Sequence, residues 1–329
     1  MEISINETIT DWCTLNEGYI FRDGFVFTRG QRNSTIFDRL VIRVPERTRA
    51  SDQKQGYSYR SLDEHITLIN KLQIKKIRAI CDDLQFLLQC PSVLDVQVSP
   101  SYDAPESFDY SPLYMMPCLR RLDCKTIYGT CEQYRTTIDY SQIPELEYIA
   151  IIGDGHNGYE KLSNLRELWM SGIKTHKSFE GLSCSNTLEK VTVFLSGLQT
   201  LNGIGVHSNL KSLVMYNNYS IRDITALQDV AQTLQTLVIE NCSKIKDFSS
   251  LEYLTRLKHL QLYGNNVLPN LAFLQNMPEL KTFTFTMNVE DGDLNLCKNI
   301  PYVSCKNRKH YNLKDAQLPK VLESESSSV

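Results

Sequence analysis

Apolar residues recur along this chain in a fixed hexad, Leu-x-x-Leu-x-Leu, spaced 23 or 24 residues apart where it is clearest. The clearest copies start at Leu210 (with Leu213 and Met215), Leu234 (Leu237, Ile239), Leu257 (Leu260, Leu262) and Leu280 (Phe283, Phe285). Weaker copies start at Leu188, Leu165, Leu146 and Leu119, and two further candidates at Val93 and at Ile69, the last with Leu72 and Ile74. Residues two apart share a face of a strand, so each hexad predicts one short strand with its apolar residues turned to one side. Further apolar positions match at fixed offsets: Ile221, Ile245 and Leu268; Ile224, Phe248, Leu271 and Leu294; Leu227, Leu251, Leu274 and Cys297; Val230, Leu254, Met277 and Ile300. One such repeat cannot bury its own apolar face, but a stack of them builds a continuous core.

Eight positions after the four clearest starts stand Asn218, Cys242, Asn265 and Asn288. Where the chain leaves a strand, inward-pointing backbone groups need partners. A short amide side chain supplies them, and a cysteine fits the same space with a weaker donor.

With this position, the segment Leu234–Leu254 resembles the leucine-rich-repeat superfamily, most closely its short internalin-like class. The resemblance is strongest from Leu165 to Ile300 and departs from the pattern at Ile173 and Ser196, where Asn or Cys is expected. It implies an α/β fold, a leucine-rich-repeat solenoid with a curved parallel β-sheet on the concave face and turns or short helices on the convex side. It implies no catalytic residues, since members of the superfamily mostly bind proteins.

Residues 1–68 do not fit the repeat and read as a β-rich N-terminal cap or a small separate module. Tyr19 to Phe27 predicts a hairpin about Asp23-Gly24. Leu40 to Val44 predicts a strand ended by Pro45, and Arg47 to Tyr57 a polar loop. Ser61-Leu62-Asp63-Glu64 has the spacing of a capping box that opens a helix. The solenoid is then expected over residues 69–308, with Tyr302 and Cys305 in a last strand, and a C-terminal tail over 309–329 that is disordered from Leu322.

Composition changes this picture little. The 329 residues carry a net charge of -3, which disfavours a coat for nucleic acid. The start, Met1 to Glu7, lacks the basic and apolar regions of a leader, and no run of apolar residues suits a membrane span, so a cytoplasmic protein is expected. The ten cysteines form no Cys-x-x-Cys pair and are expected to be mostly buried free thiols. Cys118, Cys124 and Cys131 have no histidine at zinc-ligand spacing, so neither metal nor cofactor is expected. The glycine-rich run Gly153 to Gly158 reads as a turn, and no motif of an enzyme is present.

If the repeat leucines point inward, offsets two, four and six point to the concave surface. That places Tyr148, Ile152, Trp169, Phe194, Val214, Tyr216, Val238, His259 and Tyr263 on one face as candidate partner-binding residues. An exposed apolar and aromatic patch of that size marks an interaction site. The leading expectation is a non-enzymatic, protein-binding scaffold, adaptor or immunity-protein-like inhibitor that grips another protein. The alternative is a nucleic-acid-binding or effector protein acting through its N-terminal segment, where Arg43, Arg47, Arg49 and Lys54, or Lys71, Lys75, Lys76 and Arg78, supply positive charge.

Overall fold

The computed structural model describes residues 13–16, 19–29, 37–44, 58–100, 108–124, 137–182 and 186–321. Met1 to Glu7, Pro45, the Arg47 to Tyr57 loop, Cys131, Cys184 and the tail from Leu322 lie outside the described residues. The chain divides into two compact units, one of residues 1–151 with 155–159, the other of 152–154 with 160–329.

The first unit begins with β1 (Cys13–Asn16), β2 (Tyr19–Arg22), β3 (Phe25–Arg29) and β4 (Phe37–Ile42), paired antiparallel in sequence order. The β2–β3 hairpin turns at Asp23 and Gly24, both at positive φ (51° and 86°), as the Asp-Gly pair predicts. A Cβ on Gly24 would also lie 2.8 Å from Arg60 Cγ. Helix α1 (Leu62–Leu72) starts at the expected capping box: Ser61 Oγ accepts from the Glu64 backbone N–H, and the Glu64 carboxylate accepts from the Ser61 N–H. Beyond it β5 (Lys76–Cys81) pairs parallel with β4, and β6 (Asp95–Pro100), the short helix α2 (Ser111–Tyr114), β7 (Arg121–Asp123) and β8 (Tyr148–Ile152) follow. Strands β5 to β8 pair parallel in sequence order.

The hexad placed at Ile69 is displaced. Ile69 and Leu72 belong to α1, and Ile77 and Ala79 of β5 stand opposite Val96 and Val98 of β6. The first hexad therefore begins at Ile74. Ile66 and Ile69 are buried three residues apart on one helix face, and an i, i+3 pair of apolar residues reads the same in a helix as at the start of the hexad. The capping box upstream and left-handed Gln73 downstream decide for a helix.

The second unit repeats one design. Strands β9 (Glu167–Ser171), β10 (Lys190–Phe194), β11 (Ser212–Tyr216), β12 (Thr236–Glu240) and β13 (His259–Tyr263) pair parallel without a register shift. After β14 (Val267–Leu268) come β15 (Thr282–Phe285), β16 (Asn288–Val289) and β17 (Tyr302–Cys305); β15 pairs with β13, and β17 with β15. β14 and β16 make a separate two-stranded parallel pair. In-register pairing puts Leu168, Val191, Leu213, Leu237, Leu260, Phe283 and Val303 in one buried row. The returning segments contain single 3₁₀ turns, Thr225–Val230, Ser249–Tyr253, Ala272–Asn276 and Asn295–Asn299 among them. Their apolar residues, at the offsets that repeat in the sequence, are buried.

A regular polar device opens these turns. Asp223, Asp247, Asn270 and Asp293, at the same offset in four repeats, each accept with Oδ1 from the backbone N–H two residues on, at 2.8–2.9 Å. Thr200 and Ser178 do the same with hydroxyls, and Asp83, Asp109 and Asp139 repeat it in the first unit. A short polar side chain that mimics one turn of backbone fixes the start of a tight turn without a full helix.

Inward polar positions follow the expectation at Asn218 and Cys242, both fully buried, and depart from it after β13. Asn265 is exposed, whereas Asn266 is 5% exposed and donates to the carbonyls of Cys242 and Ile245. The chain leaves β13 through Gly264 at φ 132°, which moves the inward position one residue later. Asn288 stays half-buried, and its place is taken by a tyrosine from the next repeat: the Tyr311 hydroxyl donates to the Met287 carbonyl and accepts from the Val289 N–H. Residues 309–321 are packed rather than loose, with Val303 N–H donating to the Pro319 carbonyl and Val321 N–H to that of Pro301.

Candidate protein-binding face

The face of the second unit's sheet opposite the repeat leucines carries three rows of side chains, fixed by the register. Trp169, Thr192, Val214, Val238 and Gln261 form the middle row. Ser171, Phe194, Tyr216, Glu240 and Tyr263 form the row at the strand ends. Trp169 stacks on Phe194, the diagonal neighbour one strand over, with ring centroids 6.4 Å apart and planes inclined by 27°. Such a pair contributes about 0.5–1.5 kcal/mol beyond its buried area.

The nine candidate residues fall in both units. Tyr148 belongs to the first, where the Arg121 guanidinium lies over its ring at 4.1 Å. The other eight belong to the second. Ile152, Trp169, Phe194, Tyr216, His259 and Tyr263 are half-exposed, but Val214 and Val238 are only 8% and 5% exposed. The expected apolar patch is thus less open than the alternation of faces suggests. A middle-row side chain is flanked along its own strand and from both neighbouring strands, about 4.8 Å away on each side. A valine is too short to rise above such neighbours, whereas Trp169 is long enough.

Polar contacts hold the aromatic edge in place. The Tyr263 hydroxyl donates to Thr284 Oγ1 at 2.8 Å, and His259 Nδ1 lies 2.9 Å from Thr282 Oγ1. Burial, and then the nearby charge of Glu240, push the Tyr216 phenol above its ordinary pKa. At the strand starts, Glu189 bridges Arg166 and Lys211 at 3.0 and 2.9 Å, which pairs the charges of three consecutive repeats along the rim.

The corresponding face of the first unit is ionic. Asp95, 4% exposed, takes two hydrogen bonds from Arg39 at 2.6 and 2.8 Å, and Arg121 Nε lies 3.5 Å away. Burial pulls the Arg39 guanidinium down, but the hydrogen bond and charge of Asp95 outweigh it and hold the pKa above its ordinary value. Sequence reasoning missed this pair because 56 residues separate its members. Of the basic residues proposed for nucleic acid, Lys71, Lys75 and Lys76 are exposed, while others are drawn into contacts within the unit. Arg78 is 7% exposed and donates to the Tyr19 hydroxyl, Arg43 donates to the Tyr59 hydroxyl, and Lys76 pairs with Asp38. Arg47, Arg49 and Lys54 lie outside the described residues.

The glycine run is a turn with a structural task. Gly153, Gly155 and Gly158 have positive φ, and Asp154 between them accepts from the Lys174 and Thr175 backbone N–H groups and the Thr175 hydroxyl. Among the described residues no group of three or more His, Cys, Asp or Glu is arranged to hold a metal ion. Among the same residues, no helix is long and apolar enough to cross a membrane. An open depression of about 390 Å³ lies on the turn side, between Phe248 and Phe273, away from the sheet face.

No family model matches the chain, and no curated protein sequence matches it. Among solved structures, an internalin of Listeria monocytogenes is similar at 15% identity, over 74% of this chain and 78% of that one, with a TM-score of 0.48. Internalin C2 of the same organism is similar at 14% identity, over 72% and 91%, with a TM-score of 0.40. A leucine-rich-repeat protein of Leptospira interrogans is similar at 13% identity, over 76% and 82%, with a TM-score of 0.36. The chain's own geometry carries the assignment: parallel in-register strands, returning turns with one shared cap, and buried Asn218, Cys242 and Asn266 side chains between repeats make its fold a leucine-rich-repeat solenoid.

Proposed function

We propose that the chain is a protein-binding scaffold that seats its partner on the sheet face of the second unit. The observation that supports this is the half-exposed aromatic cluster of Trp169, Phe194, Tyr216 and Tyr263 beside the buried Val214 and Val238. Aromatic side chains offer large contact areas at little cost in rotamer entropy, and they dominate binding hot spots. Their rings are preorganised by the Trp169–Phe194 stack and the Tyr263–Thr284 hydrogen bond, which reduces the ordering that binding would otherwise cost. An adaptor or an inhibitor would use such a face in the same way, and the face itself is indifferent between them. The test is capture of partners from a cell extract by the full chain, followed by titration of the captured protein against variants. Trp169→Ala or Phe194→Ala should weaken binding by about 2 kcal/mol or more. Tyr253→Ala, an exposed residue of a turn segment, should leave it unchanged. Equal loss from all three, or none from any, rejects this face as the binding surface.

A further inference from the structure

We infer that Glu240, flanked by Tyr216 and Tyr263, is the seat for one cationic side chain, a lysine ammonium or arginine guanidinium, of a protein partner. The inference rests on the reading of this sheet face as the binding face, and adds the chemistry of what binds there. Strands β11, β12 and β13 pair so that Tyr216, Glu240 and Tyr263 stand directly side by side. With strands about 4.8 Å apart, the two tyrosine backbones are about 10 Å from each other. A cation placed over the carboxylate on the β11 side would then lie within about 6 Å of the Tyr216 ring, the range in which a ring face attracts positive charge.

The surroundings favour a cation over other occupants. Glu240 is half-buried, and among the described residues no Lys or Arg forms an ion pair with it. Val238, on the same face two residues earlier, is 5% exposed and gives the seat an apolar floor. Lys190 occupies the other end of the face, at the first position of β10, two strands away. The Tyr263 hydroxyl donates to Thr284 of β15, which tilts that ring away from Glu240 and leaves the carboxylate open on this side, with the Tyr216 ring as the nearer wall. Tyr216 feels the carboxylate already, since its phenol is pushed up by burial and then by the charge of Glu240. An apolar partner side chain would cover a carboxylate and leave it unpaired, which is costly. A hard metal ion would need several oxygen ligands, and Glu240 supplies one carboxylate. A lysine or arginine pairs the charge and lies against the Tyr216 ring.

The test uses the full chain with ring-¹³C tyrosine, and methylguanidinium chloride as the probe against sodium chloride at equal ionic strength. Tyr216→Phe and Tyr263→Phe assign the two ring signals. The Tyr216 signal should shift saturably with methylguanidinium and not with sodium, with a smaller shift at Tyr263, and Glu240→Gln should weaken the apparent affinity by about threefold or more. Signals that stay unmoved, or that move equally in the Glu240→Gln protein, overturn the seat. A second arm separates this from failure of the face as a whole. If a captured partner is lost with Phe194→Ala but bound unchanged by Glu240→Lys, the face stands and the cation seat falls. If capture ignores both substitutions while the methylguanidinium titration still saturates and depends on Glu240, the seat stands as a cation site and the face falls.

Discussion

The Ser196 hydroxyl donates to Asn218 Oδ1 at 2.7 Å, joining two buried side chains that occupy the same place in successive repeats. The same Oδ1 accepts from the Ser196 backbone N–H, while Asn218 Nδ2 donates to the carbonyls of Val193 and Tyr216. One amide therefore satisfies a backbone donor and two backbone acceptors where the chain turns out of two neighbouring strands. Asn218→Ala should cost about 1–3 kcal/mol, because it strands those groups away from water. Asn266→Ala should act alike, while Asn265→Ala should stay within about 0.5 kcal/mol, the usual range at the surface. Urea unfolding midpoints of the three variants decide it, and a large loss at Asn265 would contradict the register after β13.

The sequence made much of this visible, and its failures have physical causes. The inward row and the turn-side apolar residues were legible because every repeat must bury the same face, so the constraint recurs at a fixed spacing. Asn265 was the wrong neighbour because the chain leaves β13 at Gly264 with φ 132°, whereas Asn217 and Asn241 at the same place in the two preceding repeats have φ 53° and 54°, a difference that no apolar position records. Ile69 misled because α1 presents apolar residues at a spacing that the hexad also allows. The caps at Asp223, Asp247, Asn270 and Asp293 were present at one offset and could have been found by aligning polar residues as well as apolar ones. Alternation gave the side of the sheet on which Val214 and Val238 lie, but not their depth, which depends on the sizes of neighbours on adjacent strands. Nothing local announces the Arg39–Asp95 pair.

The turn caps make stability depend on acid. The pKa values of Asp223, Asp247 and Asp293 are lowered chiefly by the backbone N–H groups of Thr225, Ser249 and Asn295. A carboxyl whose pKa falls on folding adds stability above its unfolded value and loses that stability as pH drops through the folded one. With an ordinary value of 3.8, the melting temperature should fall as pH is taken from about 5 to 3. Asn270 makes the same hydrogen bond without a charge. Asp247→Asn should therefore keep most of the stability at pH 7 and flatten the acid limb, and an unchanged limb would remove this cap from the explanation.

Burial sets the reactivity of the thiols. It pushes Cys242 and Cys90 up to about 11 and Cys297 up to about 12. The thiolate is the reactive form, so these three should resist iodoacetamide at pH 8 until the protein is unfolded in denaturant. Cys118 is exposed and should react in the native protein. Mass spectrometry of peptides after timed labelling reads both, and early labelling of Cys242 would mean that the Asn218–Asn266 region opens well below the unfolding transition.

Trp169 and Leu213 test which side of the sheet is which. Leu213 is fully buried in the row that faces the turns, and Leu213→Ala should cost about 2–5 kcal/mol, because the cavity it leaves cannot collapse between fixed strands. Trp169 lies in the middle row of the opposite face, half-exposed and stacked on Phe194. Its removal forfeits the stack, about 0.5–1.5 kcal/mol, and some buried area, while water or neighbouring side chains can fill the space. Phe194→Ala forfeits the same stack, so the double variant Trp169→Ala/Phe194→Ala should lose less than the sum of the single losses. Three denaturation curves and the Leu213→Ala control measure all of this. Additive losses at Trp169 and Phe194 would show that the rings do not support each other. A Trp169→Ala protein less stable than Leu213→Ala would reverse the inside and outside of the sheet and remove the aromatic cluster as a surface for binding.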